Sequence, residues 1–584
     1  MKFGVLALDY DGTIARDGVL DPDVKAAIGE ARVRGIVVVI VTGRILSDLR
    51  KAAGDLGFVD AVVAENGAVL AFPNGQTRLI GHPPPQAFLD ELRLRGIQFD
   101  AGQCVIEADA GSATRVLAVI RELELPLVLL FNRSRLMILP QAISKGTGLR
   151  EAMNALRLSV HNAIAIGDAE NDHDLLAACE IAVAVSWGST ALQKEVDEVL
   201  HGDGPHAVAA YIRQTAQSAR LPLDRVGRHR LTLGTSDNGH PVELALHGRD
   251  ILIVGDPHSG KSMVTGLSCE QMILQGYCVC VIDPEGDYCE LESLPGVVVL
   301  GGDDRPPDIP DVARALRHFD LSVVVDLSRI PYEEKIRYLN ALLPMLASLR
   351  RNTGLPHRIV IDEAHYFLRE PNVKQLLDLE LEAYTIVTYR PSDLHPDLRK
   401  GIDAIVVKRT TQQQEVRTLL AMVGNPKVEA EWTVTLGGLA INEAALLPGT
   451  EEAEGKLRRF TLLPRLTPHV RHKKKYFDAQ LADGQGFVFT DSGRMIGSPA
   501  RSLEQFVSLL KSASATSLDG HTRRGDFSQW MANVFHDHHT ASEVRKIEQR
   551  YRLGHLDDVR QPLATLIQER YGLSSADSHT AVTQ

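Results

Sequence analysis

The stretch VLALDYDGT, residues 5–13, places two carboxylates directly after a short apolar run. The run Val5–Leu8 is typical of a buried strand, and Asp9 and Asp11 follow it. In open α/β sheets, ligands bind at the carboxyl ends of the strands. Two acids so close together can divide the work of phosphoryl transfer, because one can attack phosphorus while the other handles the proton of the leaving group. The stretch therefore predicts an α/β sheet that carries a phosphoryl-transfer site.

Three later segments supply the remaining groups that such a site needs. VTGR (41–44) offers a hydroxyl and an amide for phosphoryl oxygens, SKG (144–146) offers a cation, and GDAEND (167–172) offers carboxylates suited to Mg²⁺. The residues concerned are Thr42, Gly43, Lys145, Asp168, Asn171 and Asp172. Any one segment could be ordinary turn chemistry. Their occurrence in this order, after predicted strands or in loops, favours a single catalytic site.

Taken in order, the four segments resemble the motifs of the haloacid dehalogenase (HAD) superfamily of phosphatases. ENGA (65–68), with a cap inserted between the second and third motifs, resembles the type IIB, or Cof-like, branch. The resemblance implies a Rossmann-like HAD core with an α/β cap, in which residues 1–215 form the phosphatase and about 68–143 its cap. It also implies a small phosphorylated substrate, as in the compact phosphoglycolate or sugar-phosphate phosphatases of that branch.

The same resemblance implies roles for individual residues. Asp9 would be the nucleophile that forms an aspartyl-phosphate, and Asp11 the general acid and then the general base. The residues implied to bind the phosphoryl group are Thr42, Gly43, Asn171 and Lys145, the last of which also assists catalysis. Those implied to hold Mg²⁺ are Asp9, the backbone carbonyl of Asp11, Asp168 and, in support, Asp172. Arg133 and Arg135 would either bind an anionic substrate tail or lie on an exposed strand face.

A second chemical pattern occupies ILIVGDPHSGKS, residues 251–262. A strand, Ile251–Val254, leads into a GxxxxGK[ST] loop and a plausible helix, the context in which loop amides cradle phosphates. The loop consists of Gly255, Asp256, Pro257, His258, Ser259, Gly260, Lys261 and Ser262. Lys261 would reach the β- and γ-phosphates of ATP, and Ser262 would bind the accompanying Mg²⁺.

Further along the chain, RIVIDE (358–363) gives an apolar strand that ends in two acids. Asp362 can hold the water shell of Mg²⁺, and Glu363 can polarise the water that attacks the γ-phosphate. Another strand is predicted at Tyr277–Ile282, between the two motifs. Together the two motifs predict that the protein binds ATP, with hydrolysis as the expected reaction.

These segments resemble the HerA/FtsK-like branch of RecA-type hexameric ATPases over about residues 225–450. The resemblance is carried by VIDPEGDY (281–288), IDEAH (361–365) and VTYRPSDL (387–394). It implies a ring-forming homo-oligomer, with a hexamer as one option. Tyr389 stands where the family usually has Gln, so the way in which ATP is sensed stays open. Arg390 or Arg409 would either reach the ATP of a neighbouring subunit or be an ordinary surface arginine.

The composition fits a multidomain α/β protein. The chain has 584 residues, of which 44% are hydrophobic and 24% are charged. The absence of apolar runs of about 18 residues argues against a membrane partner. Six cysteines without a CxxC pair, and no secretory leader, predict a cytoplasmic location. The predicted divisions are the phosphatase at 1–215, a linker at 216–228, the P-loop ATPase with a RecA-like fold at 229–465, a small, mainly helical accessory domain at 466–573 and a disordered tail at 574–584.

The sequence leaves three functions open. We expect a bifunctional hydrolase, in which Mg²⁺-dependent phosphomonoester hydrolysis through Asp9 is coupled to or regulated by the ring-forming ATPase. The alternative is an ATP-driven DNA translocase or nucleic-acid-processing complex, in repair or defence, whose phosphatase acts on nucleotides or nucleic-acid ends. The net charge of −12 argues against it, whereas RHKKK (471–475) beside two aromatic residues keeps nucleic acid open as a partner. A third hypothesis is a scaffold in which ATP binding drives assembly and hydrolysis is minor.

Overall fold

The computed structural model divides the chain into two compact units, Met1–His469 and Val470–Gln584. The described residues are 2–132, 134–218, 227–368, 373–380, 382–424, 429–447, 457–467, 481, 485–491, 494–535 and 538–571. The predicted basic stretch 471–475, the predicted tail 574–584, Arg133 and most of the predicted linker lie outside these residues. No helix within these ranges is both long and apolar enough to cross a membrane.

Residues 2–218, here called the N-terminal module, are built on an eight-stranded sheet. Its strands are β1 Val5–Asp9, β4 Val37–Val41, β5 Ala61–Ala64, β6 Val69–Ala71, β7 Thr77–Leu79, β12 Ala163–Gly167, β13 Ile181–Val185 and β14 Glu198–Leu200. The order is β14-β13-β12-β1-β4-β5-β6-β7, parallel up to β5 and antiparallel beyond it. The helices packed with it are α1 Pro22–Val33, α2 Leu46–Ala53, α5 Lys145–Leu156, α6 His173–Ala178 and α7 Pro205–Ala216.

Strand β1 explains why this sheet forms. Leu6 and Leu8 belong to one buried apolar cluster, whereas Val5 and Ala7 belong to another, so both faces of the strand are covered. A strand buried on both faces has to be apolar throughout, which is the pattern of the parallel sheets in α/β proteins. A short hairpin, β2 Ala15–Arg16 and β3 Val19–Leu20, follows the loop after β1.

A separate four-stranded antiparallel sheet forms a cap. Its strands are β8 Phe99–Ala101, β9 Ile106–Asp109, β10 Leu127–Asn132 and β11 Arg135–Pro140, in the order β10-β11-β9-β8. Two helices, α3 Gln86–Leu94 and α4 Ala113–Glu122, share its apolar core. Strands β6 and β7 pair with the core sheet, so the cap's own elements run from α3 to β11.

Residues 227–467, here called the central module, form an eleven-stranded sheet. Its strands are β15 Arg230–Ser236, β16 Pro241–Ala245, β17 Asp250–Val254, β18 Val279–Asp283, β19 Val297–Gly301, β20 Ser322–Asp326, β21 Arg358–Ile361, β22 Tyr384–Thr388, β23 Ile402–Val407, β24 Glu443–Leu446 and β25 Arg458–Leu462. The order is β16-β15-β25-β24-β23-β17-β22-β21-β18-β20-β19. The seven strands from β23 to β19 are parallel, and the other four extend the sheet antiparallel.

The helices of the central module are α8 Lys261–Leu274, α9 Ile309–Ala315, α10 Tyr332–Thr353, α11 Val373–Leu376, α12 Pro396–Lys400, α13 Gln413–Val423 and α14 Glu429–Gly437. Strand β22 lies between β17, which leads into the predicted phosphate-binding loop, and β21, which leads into Asp362 and Glu363. Because these strands are parallel, the two predicted motifs emerge at the same edge of the sheet.

The described residues of the second unit, Val470–Gln584, form a short hairpin and five helices. The hairpin is β26 Thr490–Asp491 and β27 Arg494–Met495, and the helices are α15 Leu503–Ser512, α16 Ala515–Arg524, α17 Asp526–Val534, α18 His538–Arg552 and α19 Arg560–Tyr571. Aromatic side chains dominate its core: the ring of Phe506 lies 4.7 Å from that of Trp530 and 5.2 Å from that of Phe487, centroid to centroid.

This aromatic core predicts a local loss of stability on truncation. Phe506→Ala removes a side chain that is 1% exposed and should cost about 3–5 kcal/mol, because it leaves a cavity. Amide hydrogen exchange should accelerate in α15–α19 and stay unchanged in unit Met1–His469. Leu553→Ala, at a position 70% exposed, is the matched control and should change exchange by less than about 0.5 kcal/mol. Equal effects of the two variants would contradict this account of the core.

Candidate active sites

Lys145 lies at the centre of the first candidate site, between two carboxylates. Its Nζ donates to Asp9 Oδ1 and to Asp172 Oδ1, each at 2.6 Å, and all three side chains are buried. Carboxylate oxygens of Asp9, Asp168 and Asp172 lie within 4.8 Å of one another. Segments far apart in the sequence therefore meet at the carboxyl ends of β1 and β12.

Local structure brings Lys145 to this position. Ser144 caps α5 through a capping box with Thr147, so Lys145 becomes the first residue of the helix. The chain at Ser144 also passes directly over Gly67, which has φ +106. A Cβ atom on Gly67 would lie 1.9 Å from the carbonyl oxygen of Ser144. The glycine of the ENGA segment thus makes room for the loop that presents Lys145.

Asp172 has a second task besides the contact with Lys145. Its Oδ2 accepts hydrogen bonds from the amides of Asp168 and Ala169, at 3.0 and 2.9 Å. The carboxylate therefore shapes the loop that carries Asp168 while it pairs with the lysine.

The charges of the site favour a bound cation. Burial raises the pKa of Asp9 well above its usual range, the Asp172 carboxylate adds to this shift, and the Lys145 ammonium opposes it. Burial disfavours the charge on Lys145, but the carboxylates of Asp172 and Asp9 outweigh burial and raise its pKa. Asp9 Oδ2 is buried and has no hydrogen-bond donor among the described residues. Carboxylate oxygens gathered around one ammonium group fit a hard cation such as Mg²⁺.

A cavity of about 500 Å³ opens above these groups. From the core it is lined by Asp9, Asp11, Thr42, Gly43, Lys145, Asp168 and Asn171. The described residues predicted to act in the first site thus line one cavity, except Asp172, which contacts Lys145. The cap contributes Glu107, Ser134, Arg135 and Met137. Arg135 forms an ion pair with Glu107, and burial raises the pKa of that carboxyl while Arg135 opposes the shift.

Arg44 belongs to this site, although no role was predicted for it from the sequence. Its Nε and Nη2 donate to the two carboxylate oxygens of Asp11, each at 2.6 Å. The hydrogen bonds to Asp11 raise the pKa of Arg44. A bidentate arginine fixes the orientation of the carboxylate that it binds. The contact with Arg44 therefore holds the Asp11 side chain at the cavity.

Glu65 joins the cap to the core. In the sequence it was notable only as part of the ENGA segment that resembles the type IIB branch. Its buried carboxylate accepts hydrogen bonds from the amides of Gln103, Cys104 and Val105, at 3.0, 2.8 and 3.2 Å. These amides precede β9 of the cap. One core side chain thus holds the turn between β8 and β9 of the cap.

The second candidate site lies at the carboxyl edge of the central sheet. The loop after β17 turns through Gly260, with φ +95, into α8 at Lys261. Lys261 Nζ donates to the carbonyl of Asp256 at 3.3 Å. Gly255 and Ser259 are buried at the base of the loop, whereas Pro257 and His258 form its exposed tip. The strand–loop–helix context that the motif requires is therefore present.

Acidic residues surround the start of α8. Ser262 Oγ donates to Asp287 Oδ2 at 2.8 Å, and Asp362 accepts from the hydroxyl of the buried Tyr288 at 3.2 Å. Asp283, at the end of β18, holds this loop through the amides of residues 286–288, at 2.6 to 2.9 Å. Burial raises the pKa of Asp283 well above its usual range, and the Asp287 and Asp362 carboxylates add to the shift. Asp287 is a candidate metal ligand that the sequence analysis missed.

Three further side chains complete the surroundings of the loop. Tyr389 places its ring 5.8 Å from Lys261 Nζ and 4.3 Å from the ring of His365. Glu363, with φ +46, directs its carboxylate to within 3.5 Å of His365 Nδ1. Lys408 is buried behind the loop and donates to the carbonyl of Ile441 at 2.8 Å; burial lowers its pKa to about 8. The position that departs from the ATPase pattern thus packs beside the loop lysine.

The Gly67 contact predicts a selective loss of function. Gly67→Ala must displace Ser144 and with it Lys145, so we expect phosphoryl-transfer activity to fall about 100-fold, in line with a misplacement of roughly 1 Å. Gly75→Ala is the matched control, because Gly75 has a similar φ of +84 but open space around its Cβ position. Steady-state kinetics of both variants check the prediction. Equal activities would show that the close approach at Gly67 does not position Lys145.

Comparison with known proteins agrees with the geometry of the first site. The family model of haloacid dehalogenase-like hydrolases matches residues 6–87 and 96–212. The phosphoglycolate phosphatase of Haloarcula marismortui is 31% identical over 222 residues, which are 35% of this chain and 96% of that protein. The phosphoglycolate phosphatase of Methanosarcina acetivorans is 28% identical over 219 residues, 35% of this chain and 94% of that protein.

Among solved structures, a HAD subclass IIB sugar phosphatase aligns with 36% of this chain and 98% of its own, at 15% identity and a TM-score of 0.31. The matched family segments include every residue of the first candidate site. Through its N-terminal module, the chain belongs to the haloacid dehalogenase-like hydrolase family.

Proposed function

We propose that the N-terminal module is a Mg²⁺-dependent phosphomonoester hydrolase that works through an aspartyl-phosphate on Asp9. The observation that carries this proposal is the buried contact of Lys145 with Asp9 and Asp172, at the floor of a capped cavity. The relatives named phosphoglycolate phosphatases support a small phosphorylated substrate. A cavity of about 500 Å³ is large enough to hold a small phosphorylated substrate.

The two oxygens of Asp9 have different tasks in this proposal. Oδ1 is held by Lys145, whereas Oδ2 has no donor among the described residues, so Oδ2 is the atom that attacks phosphorus. The new P–O bond forms as the bond between phosphorus and the leaving oxygen breaks, and Asp11 gives that oxygen a proton. Asp11 then takes a proton from water, which attacks the aspartyl-phosphate and releases inorganic phosphate.

The remaining residues bind and neutralise the phosphoryl group. Thr42, Gly43 and Asn171 line the cavity beside Asp9 and would donate hydrogen bonds to phosphoryl oxygens. Mg²⁺, when bound by Asp9, Asp168 and the carbonyl of Asp11, would neutralise negative charge as the phosphoryl group is transferred. Asp172 supports both the loop of Asp168 and the position of Lys145.

For the central module we propose binding and hydrolysis of ATP, with an effect on the assembly or activity of the phosphatase. Its support is the loop at 255–262 in front of α8, together with the carboxylates of Asp287 and Asp362 nearby. Lys261 would contact the β- and γ-phosphates, Ser262 and Asp362 would bind Mg²⁺, and Glu363 would orient the attacking water. The alternative of a nucleic-acid translocase rests on the resemblance to HerA/FtsK-like ATPases, and the basic stretch 471–475 that would contact nucleic acid lies outside the described residues.

Two substitutions should separate the two reactions. Asp9→Asn removes the nucleophile and should lower hydrolysis of p-nitrophenyl phosphate by about 10³-fold or more while leaving ATP hydrolysis intact. Lys261→Ala should abolish ATP hydrolysis and spare the phosphatase reaction measured without ATP. Both reactions are followed in the full-length protein. Full phosphatase activity in Asp9→Asn would rule out the covalent route, and unchanged ATP hydrolysis in Lys261→Ala would rule out the second site.

The pH dependence should respond to Mg²⁺. Burial and neighbouring carboxylates raise the pKa of Asp9, so without metal this group becomes protonated, and inactive as a nucleophile, as the pH falls through an unusually high value. Mg²⁺ competes with the proton for the same carboxylate. Raising the Mg²⁺ concentration should therefore move the acid limb of the kcat/KM profile to lower pH. An acid limb that stays fixed over a hundredfold change in Mg²⁺ would show that Asp9 does not bind the metal.

A further inference from the structure

A cluster of ionisable side chains lies buried where the N-terminal and central modules meet. It consists of Glu180 and His161 from the N-terminal module and of His247 and Tyr277 from the central module, and is called the Glu180 cluster below. All four side chains are buried. These residues belong to neither candidate site. Their position between the modules therefore needs a separate explanation.

Both oxygens of Glu180 are engaged across the boundary. His247 Nδ1 donates to Oε1 at 2.8 Å, and Tyr277 donates its hydroxyl proton to Oε2 at 2.9 Å. His161 Nδ1 donates to Oε2 at 2.8 Å from within the N-terminal module. Burial by itself raises the pKa of Glu180, but the hydrogen bonds from His161 and His247 hold it well below its usual range. The carboxylate thus depends on donors from the other module.

The cluster is better explained as a hydrogen-bonded joint than as a metal site. His161, Glu180 and His229 do present ligand atoms within 4.8 Å of one another. However, Glu180 Oε2 already accepts two hydrogen bonds, and the second ring nitrogen of His161 lies 3.0 Å from the carbonyl of Gln275. His229 Nε2 lies 3.2 Å from the carbonyl of Cys179. Each of these atoms therefore has a protein partner.

A second set of contacts crosses the same boundary. The pKa of His357 is lowered well below its usual range by burial, and its Nδ1 accepts from the amide of Cys278 at 2.8 Å. Its Nε2 is then the protonated nitrogen and donates to Asn162 Oδ1 at 3.3 Å. Gly354 approaches Asn162 so closely that a Cβ atom on Gly354 would lie 2.6 Å from the side-chain nitrogen Nδ2 of Asn162. Backbone and side chains of the two modules are therefore fitted to each other.

Arg228 and the apolar core extend this fit. Arg228, at the start of the central module, pairs with Asp197 at 2.8 Å and donates to the carbonyls of Leu176, Cys179 and Glu180, at 2.9 to 3.1 Å. Buried apolar residues of both modules belong to one continuous cluster. Polar and apolar contacts of this kind characterise permanent interfaces, in which both faces would be unsuited to water if they were separated.

We infer that the Glu180 cluster is a docking surface through which the N-terminal module holds the central module as a permanent partner, independently of the covalent connection between them. The chemistry of the surface defines this partner. It must supply one histidine and one tyrosine hydroxyl to a buried carboxylate, and a second histidine to Asn162. Residues 227–467 of the same chain meet all three requirements.

The test separates the covalent link from the surface. A protease site is placed between residues 218 and 227 of the full chain and cut after folding, with an affinity tag on the N-terminal fragment. The two fragments should stay together at about 1 µM. Glu180→Ala leaves three buried donors without an acceptor and should weaken the association about 100-fold or more. His247→Gln, in the other module, should weaken it too, so a folding defect in one fragment cannot mimic the result.

Glu195→Ala is the matched control. Glu195 belongs to the N-terminal module, is 70% exposed in its side chain and pairs with His173, so its loss should change the association less than about threefold. Three results would overturn the inference: separation of the wild-type fragments at 1 µM, equal association of the Glu180→Ala and Glu195→Ala proteins, or release of the wild-type fragments by EDTA alone, which would indicate a metal site. Because association is measured rather than turnover, the outcome does not depend on the activity proposed for either site.

Discussion

The burial of several carboxylates around one ammonium group is the constraint on which the first site depends. Asp9, Asp168 and Asp172 are all nearly inaccessible, and charges removed from water are costly unless they are paired and hydrogen-bonded. Lys145 pairs with two of them, and backbone amides satisfy the far side of Asp172. Negative charge still exceeds positive charge there. The Mg²⁺ proposed for this site would offset the excess, and it would also balance the negative charge of a bound phosphoryl group.

The strand ends and the motif residues of the first site could be predicted from the sequence because each motif is local. Apolar runs identify strands, and the acids that follow them must emerge at the binding edge of a parallel sheet. The contact between Arg44 and Asp11 was not predictable in this way, since it joins side chains from two separate loops. The same holds for Glu65, whose partners are backbone amides of the cap and so carry no side-chain signature.

Tyr277 illustrates why element boundaries were less predictable than elements. Its apolar ring placed it in the predicted strand Tyr277–Ile282, whereas the observed strand β18 begins at Val279. The hydroxyl of Tyr277 hydrogen-bonds to Glu180, and its ring stacks on His161 at a centroid distance of 3.7 Å. Arg228, assigned to a linker, is likewise held by four acceptors of the N-terminal module. Both residues are positioned by contacts with the N-terminal module, which no local sequence pattern could reveal.

Two strands that meet at the module boundary, β12 and β21, each lead to one of the two candidate sites. β12 and β21 start directly after Asn162 and His357, and each ends beside its own site, about 13–17 Å further on at 3.3 Å per residue. The two modules are in contact at the starts of these strands, whereas the candidate sites lie at their ends. Among the residues that the structure describes, β12 and β21 therefore connect the shared boundary directly to the two candidate sites.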